Sequence, residues 1–222
     1  MKLWLLILVF PFLAVLPVYP QEIVTAERYM ELVSEQYGSF RDFEARILIR
    51  SGTTDMVGNL SHRSPSLLRI DFTRPAGQVI LFNGEQLTVY LPDVRSVLTQ
   101  VITSGRRSQS GGQGLVLLRR NYVPSFVTSP TPVPLEGSPG ERVVRIRLTR
   151  RNMSEGFREI ILSVNSETRL IRRMEGTTNA GGLVRFDFLD IKTNQGIPEL
   201  RFQYDPPPNV NYFPNFMFRD SE

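Results

Sequence analysis

Between Thr25 and Gly38 the apolar residues Tyr29, Met30, Leu32, Val33 and Tyr37 recur at helical spacing. Thr25 suits the N-cap, Glu27 the positive end of the first turn and Gly38 the stop, so the spacing predicts one amphipathic helix over 25–37. From Arg41 the period becomes two. Phe43, Ala45, Ile47 and Ile49 alternate with Glu44, Arg46, Leu48 and Arg50, the pattern of a half-buried strand. Leu68, Ile70 and Phe72 repeat it against Arg69 and Asp71. Asn83-Gly84 separates the apolar run Val79–Phe82 from Leu87-Thr88-Val89-Tyr90, a strong hairpin signal, and Pro92-Asp93 turns the chain into a strand over 94–102. Residues 103–113 are a Gly/Ser-rich loop, and 114–122 read as a short second helix. Five prolines between 123 and 140 predict an extended connection. Strands resume at Val144, Ile146 and Leu148 and continue over 157–164, 170–177, 183–191 and 200–204.

About eleven strands joined by short turns predict a mainly β protein built on one curved antiparallel sheet. Such a sheet, apolar on one face, must cover that face, and the two amphipathic helices are the covers on offer. The expectation is an open half-barrel with helices as its lid. No repeat or composition shift divides the chain, so residues 21–222 read as a single domain.

The first twenty residues carry one charge, Lys2, followed by an apolar run from Leu3 to Val18 that Pro11 and Pro17 interrupt. That is short for a spanning helix, which needs roughly 20 apolar residues, and it reads as a secretory signal over 1–20. Val18-Tyr19-Pro20 makes a poor cleavage site, so an uncleaved anchor is the alternative. Without Lys2 the chain holds 25 basic and 22 acidic residues. An exported protein with so small a charge excess is not expected to bind nucleic acid.

Chemistry is sparse. There is no Cys, hence no disulfide, no thiol nucleophile and nothing to acylate, and His62 is the one histidine. A metal site needs three or four ligands and a general base needs an orienting partner, so neither metal, cofactor nor catalytic residue is expected. The loop Ser108–Gly114 lacks the Gly-Lys-Ser/Thr ending of a phosphate-binding loop. Glu155, Glu159, Asp187 and Asp190 lie near Arg158 and Arg185 and read as cross-strand ion pairs. Twenty-four of the 26 basic residues are Arg, four times as adjacent pairs. These fit anionic headgroups, an acidic partner or solvated sheet edges equally well. What stands out is the inward apolar set: Phe43, Ile47, Ile49, Leu68, Ile70, Phe72, Leu81, Val89, Val144, Ile146, Phe186 and Phe188. Two short helices cannot fill so broad a face, which leaves room for an apolar ligand.

The run Met56–Pro75, with Gln78–Gly84, Gln86–Pro92 and the closing Phe202-Gln-Tyr-Asp-Pro-Pro-Pro208, resembles the LolA-like periplasmic carriers of outer-membrane lipoproteins. The resemblance implies an eleven-strand half-barrel closed by helices and a non-enzymatic, monomeric periplasmic chaperone. It would take a triacylated lipoprotein from an inner-membrane ABC-type releasing complex and hand it to an outer-membrane acceptor. By position Leu68, Ile70 and Phe72 match the family's inward strand residues, and Leu115, Val116, Leu117 and Leu118 fall where its lid helix lies. With Phe43, Ile47, Ile49, Leu81, Val89, Phe186 and Phe188 of the inward apolar set, those three are the expected acyl cavity. The family commonly has an Arg directly before the Pro, where it helps to hold the lid closed. This chain has Ser64 there and Arg63 one position earlier, and a one-residue step along a strand changes faces. Arg63 and Ser64 are thus the candidate gate, altered. The family's cavity tryptophans are replaced by Ile70 and Val89. An envelope sensor or structural protein that binds lipid or lipoprotein on the same fold is the alternative.

Overall fold

The computed structural model describes residues 24–102, 113–153 and 155–216; the segment 1–20 and nearly all of the loop 103–113 lie outside the described residues. The first helix forms where its spacing predicts. Helix α1 (Ala26–Gly38) is capped by the Thr25 hydroxyl, which accepts the Arg28 N–H at 3.2 Å, and it buries Ala26, Met30 and Val33. Helix α2 (Gln113–Asn121) is the second cover.

The strands are β1 (Asp42–Ser51), β2 (Thr54–Arg63), β3 (Leu67–Arg74), β4 (Ala76–Phe82), β5 (Gln86–Leu91), β6 (Ser96–Val101), β7 (Tyr122–Phe126), β8 (Val133–Leu135), β9 (Ser138–Arg150), β10 (Phe157–Asn165), β11 (Ile171–Thr178), β12 (Leu183–Thr193) and β13 (Asn211–Pro214). They form one curved 13-stranded sheet in the order β13-β6-β5-β4-β3-β2-β1-β12-β11-β10-β9-β7, with β8 paired to β9 off that path. Neighbours are antiparallel except β13, which lies parallel to β6. The sheet is therefore two strands larger than the alternation predicts.

The differences have physical causes. The proline-rich connection 123–140 contributes β7 and β8, and Pro124 is tolerated because β7 is the outermost strand. The run 200–204 is not a strand. It forms a 3-10 turn over Glu199–Phe202, in which Phe202 is 3% exposed and Leu200 71%, so its apparent alternation reflects one side chain plugged into the outer face. At the far edge β13 contains Pro214, which lacks a donor, so each end of the sheet carries a proline that discourages further strand pairing.

Register places the apolar residues. Ile146, Leu162, Met174, Phe186, Ile49 and Met56 are successive cross-strand partners from β9 to β2, which puts them on one face. Met30 and Val33 of α1 and Leu115 of α2 pack on that face over β9, β10 and β11, with Val144, Ile146, Leu148, Leu162 and Val164 almost fully buried. Helices thus cover the β7–β11 half and define the inner side of the sheet.

The outer face holds the charges. Arg173 and Asp187, both buried, meet at 2.6 Å across β11 and β12, and Arg185 reaches the same carboxylate at 2.9 Å. Arg147 and Glu159 pair at 3.1 Å, and Arg46 and Asp190 at 3.2 Å. The cross-strand reading of Glu159, Asp187 and Asp190 matches these contacts; Arg185 reaches Asp187 along its own strand, and Glu155 and Arg158 make no ion pair among the described residues.

Candidate functional site

The half of the inner face that lies beyond the helix-packed core carries an apolar row from strand to strand. Leu60, Ile70, Ile80, Val89, Leu98 and Phe213 are consecutive partners across β2, β3, β4, β5, β6 and β13. Phe43, His62, Leu68, Phe82 and Leu87 form the row beside it. Ile47, Ile49, Leu60, Ile70 and Phe72 are buried, packed with Phe43, Met56, Leu68, Ile80, Val184, Phe186 and Phe188. Leu68, Ile80, Phe82, Leu87, Val89 and Leu98 are half-buried, so apolar surface remains within reach of a ligand.

Nine of the ten residues expected in the cavity therefore share this face: Phe43, Ile47, Ile49, Leu68, Ile70, Phe72, Val89, Phe186 and Phe188. Leu81 does not. It pairs with Arg69 and Thr88 on the outer face, where Ile197 and Phe202 cover it. Val79–Phe82 is an unbroken apolar run, so parity cannot be read from the strand itself, and Ile80 and Phe82 are the inward pair. The Asn83-Gly84 turn supplies the missing parity, because closing it pairs Phe82 with Leu87. Leu60, Ile80, Phe82, Leu87, Leu98 and Phe213 are among the inner-face residues that the sequence reading misses.

Gly58 explains how two of these strands come together. It sits on the inner face between Ile47 and Phe72, at a bulge in the β2–β3 ladder. A Cβ there would fall 2.9 Å from the Asp71 carbonyl oxygen and 3.1 Å from Ile70 Cγ2. Only glycine permits that approach without displacing β3.

Polar groups on the inner face are few. His62 stacks on Phe43 at 4.8 Å between ring centroids, and its buried Nδ1 has no hydrogen-bond partner. Burial pushes its pKa below the ordinary value, against the opposing pull of the Asp42 charge, so the ring is held neutral beside apolar neighbours. Phe43 also meets Tyr37 edge-on at 5.8 Å. The Tyr37 hydroxyl accepts the Ile171 N–H at 3.0 Å, and burial pushes its pKa up to about 12. Among the described residues no group of three His, Cys, Asp or Glu could hold a metal ion.

The four residues expected to form the lid divide two and two. Leu115 is buried and Leu118 packs against the helical core, while Val116 and Leu117 are exposed. Arg119 links α2 to α1 through Glu31 at 3.4 Å.

Arg63 and Ser64 act elsewhere than on these helices. Arg63 lies on the outer face in register with Ser61 and Asn59, and its guanidinium donates to the Ile197 carbonyl. The Ser64 N–H donates to the Arg41 carbonyl at 2.8 Å. Beside them the buried Asp42 carboxylate accepts the Gln195 and Gly196 N–H groups at 2.6 and 3.1 Å. Of the two residues expected at the gate, Arg63 thus contacts the segment after β12, because residues 57, 59, 61 and 63 share the outer parity.

Known proteins share this architecture and part of the sequence. The family described as outer membrane lipoprotein carrier protein LolA matches residues 50–205. The outer-membrane lipoprotein carrier protein of Pseudomonas aeruginosa PAO1 is 27% identical over 171 residues, covering 76% of this chain and 77% of its own. That of Methylococcus capsulatus is 25% identical over 156 residues, 70% of each chain. Two solved structures share the fold at low identity. An uncharacterized conserved protein from Thermus thermophilus superposes with a TM-score of 0.56 at 11% identity, over 83% of this chain and 98% of that one. MucB superposes at 0.51 and 16% identity, over 81% of this chain and 62% of its own. A family match over most of the described sheet, from the end of β1 to the segment beyond β12, settles the kinship: the chain belongs to the LolA family of outer-membrane lipoprotein carrier proteins.

Proposed function

We propose that this protein is a periplasmic carrier that shields lipoprotein acyl chains against the inner face of its sheet and moves them from the inner to the outer membrane. The observation that carries this reading is the uninterrupted apolar row Leu60, Ile70, Ile80, Val89, Leu98 and Phe213, which lies beyond the strands packed by α1 and α2. A hydrocarbon chain laid along that row gains about 0.8 kcal/mol for each methylene it buries. A dozen methylenes therefore amount to roughly 10 kcal/mol, and release requires an acceptor that offers competing apolar surface.

Binding of this kind needs no bond-making step, and among the described residues the inner face holds no cluster of metal-ligating side chains. The neutral, stacked His62 is suited to a greasy wall and lacks an orienting partner. Donor and acceptor in this reading are an ABC-type releasing complex and an outer-membrane receptor, and the apolar N-terminal run serves as the export signal.

Displacement of an environment-sensitive fluorescent fatty acid by a synthetic triacylated lipopeptide tests the reading. Saturable displacement that an aspartate at Ile80 abolishes supports it. A probe that binds equally well to both forms contradicts it. Displacement by phospholipid but not by lipopeptide points to a lipid-binding sensor on the same fold.

A further inference from the structure

The rim where α2 ends and β9 turns into β10 has a different chemistry from the inner face. A groove of about 430 Å³ lies there between the first turn of α1, α2, β7 and the β9–β10 turn, lined by Glu27, Val116, Arg119, Arg120, Pro124 and Arg151. Arg119 is engaged with Glu31. Arg120 and Arg151 are exposed and have no ion-pair partner among the described residues, unlike the paired Arg46, Arg147 and Arg173 of the outer face. Around them stand exposed apolar side chains: Val116 at 39%, Leu117 at 52% and Met153, in the β9–β10 turn, at 78%.

Unpaired arginines beside protruding apolar side chains suit the boundary between lipid headgroups and acyl chains. We propose that this rim docks the protein on an anionic phospholipid surface, with Arg120 and Arg151 on headgroup phosphates and Val116, Leu117 and Met153 reaching the layer beneath. The proposal rests on the carrier reading only in placing the protein between two membranes. An acidic protein partner would use the same arginines, but it would leave the solvated Met153 and Leu117 without a role.

The acids that face the groove decide the strength of the effect. Glu31 is held by Arg28 at 2.7 Å and by Arg119 at 3.4 Å, and Glu155 shares the turn with Met153. Glu27 lines the groove itself with no partner among the described residues, so its charge opposes docking.

Flotation of the exported chain with vesicles of phosphatidylcholine alone, or mixed with phosphatidylglycerol, tests the proposal, with the fluorescent fatty acid titrated into the same samples. The expected result is binding to the mixed vesicles that weakens as salt rises. The pair Arg120→Glu and Arg151→Glu should lower it by at least about tenfold. Met153→Ser should lower it and Glu27→Gln should raise it several-fold. Fatty-acid binding should stay at the wild-type level throughout, which also reports that the variants fold. Equal binding to both vesicle types, no binding to either, or indifference to the arginine pair overturns the proposal. Competition by inorganic phosphate beyond that of chloride at equal ionic strength identifies a free-phosphate site and also overturns it. Loss of fatty-acid binding in the wild type with vesicle binding intact would instead remove the carrier reading and leave this one standing.

Discussion

Arg201 and Asp71 meet across the outer face of the sheet, 130 residues apart in the chain. Arg69 completes the junction. It forks onto the same carboxylate at 2.8 to 3.0 Å and donates to the Arg201 and Gln203 carbonyls at 3.1 and 2.9 Å. Phe202 is thereby held against Leu81 and Ile197, and the segment after β12 becomes an outer buttress for β3 and β4. The β3–β4 pair whose other side forms the proposed cavity wall is stiffened from behind.

Removing the acid from that junction leaves two arginines without their shared partner. Asp71→Asn is expected to cost about 1–3 kcal/mol, a discounted figure for a carboxylate that is still partly solvated. Its effect should be local first. Hydrogen exchange should accelerate at Arg201 and Gln203, whose N–H groups close the turn, before it does in β9 and β10.

Ile80 and Leu81 are adjacent in sequence and face opposite sides, so aspartate should act differently at each. Ile80→Asp places a carboxylate on the half-buried inner face and should lower fatty-acid binding by at least about tenfold, with a modest loss of stability. Leu81 is 4% exposed beneath Phe202, so Leu81→Asp should cost several kcal/mol of stability, of the order of 3 to 5. Urea unfolding and probe titration on the two variants check the pair.

Gly58→Ala should destabilise the fold by about 1–3 kcal/mol, since the added methyl meets Asp71 backbone and the Ile70 side chain at the bulge. A chemical denaturation midpoint measures it. An unchanged midpoint would show that β2 and β3 are less tightly joined than the register indicates.

His62 gives the stability a pH dependence of known sign. Its folded pKa lies below the ordinary 6.5, so the unfolded chain binds the proton first as pH falls. The contribution is fully present above about 6.5 and is lost progressively below it, through the lowered folded value. His62→Phe should therefore lose less stability than the wild type between neutral and mildly acidic pH. The comparison isolates His62 from the carboxylates, which titrate in both proteins.

Much of the sheet is legible because charged residues mark its parity. Glu44, Arg46 and Arg50 fix the inner set of β1, and Arg69 and Asp71 that of β3. Where that marking fails, so does the reading. The run Val79–Phe82 is apolar on both faces because the chain after β12 returns to cover Leu81, a contact between residues more than a hundred positions apart. Phe213 joins the inner row through a parallel pairing of β13 with β6 that no local pattern announces. The β7 strand hides behind Pro124 because proline argues against a strand everywhere but at an edge. The four-residue apolar run of α2 reads as all lid, whereas one short helix can turn only Leu115 and Leu118 inward.

The most direct measurement is native mass spectrometry of the protein taken from the periplasm of a bacterium with two membranes, beside its Ile80→Asp form. The expected result is an acylated N-terminal peptide or intact lipoprotein bound one to one in the wild type and absent from the variant. A wild-type protein that arrives empty, or an acylated ligand kept by the Ile80→Asp form, would contradict the assignment of the inner face as a lipoprotein cavity.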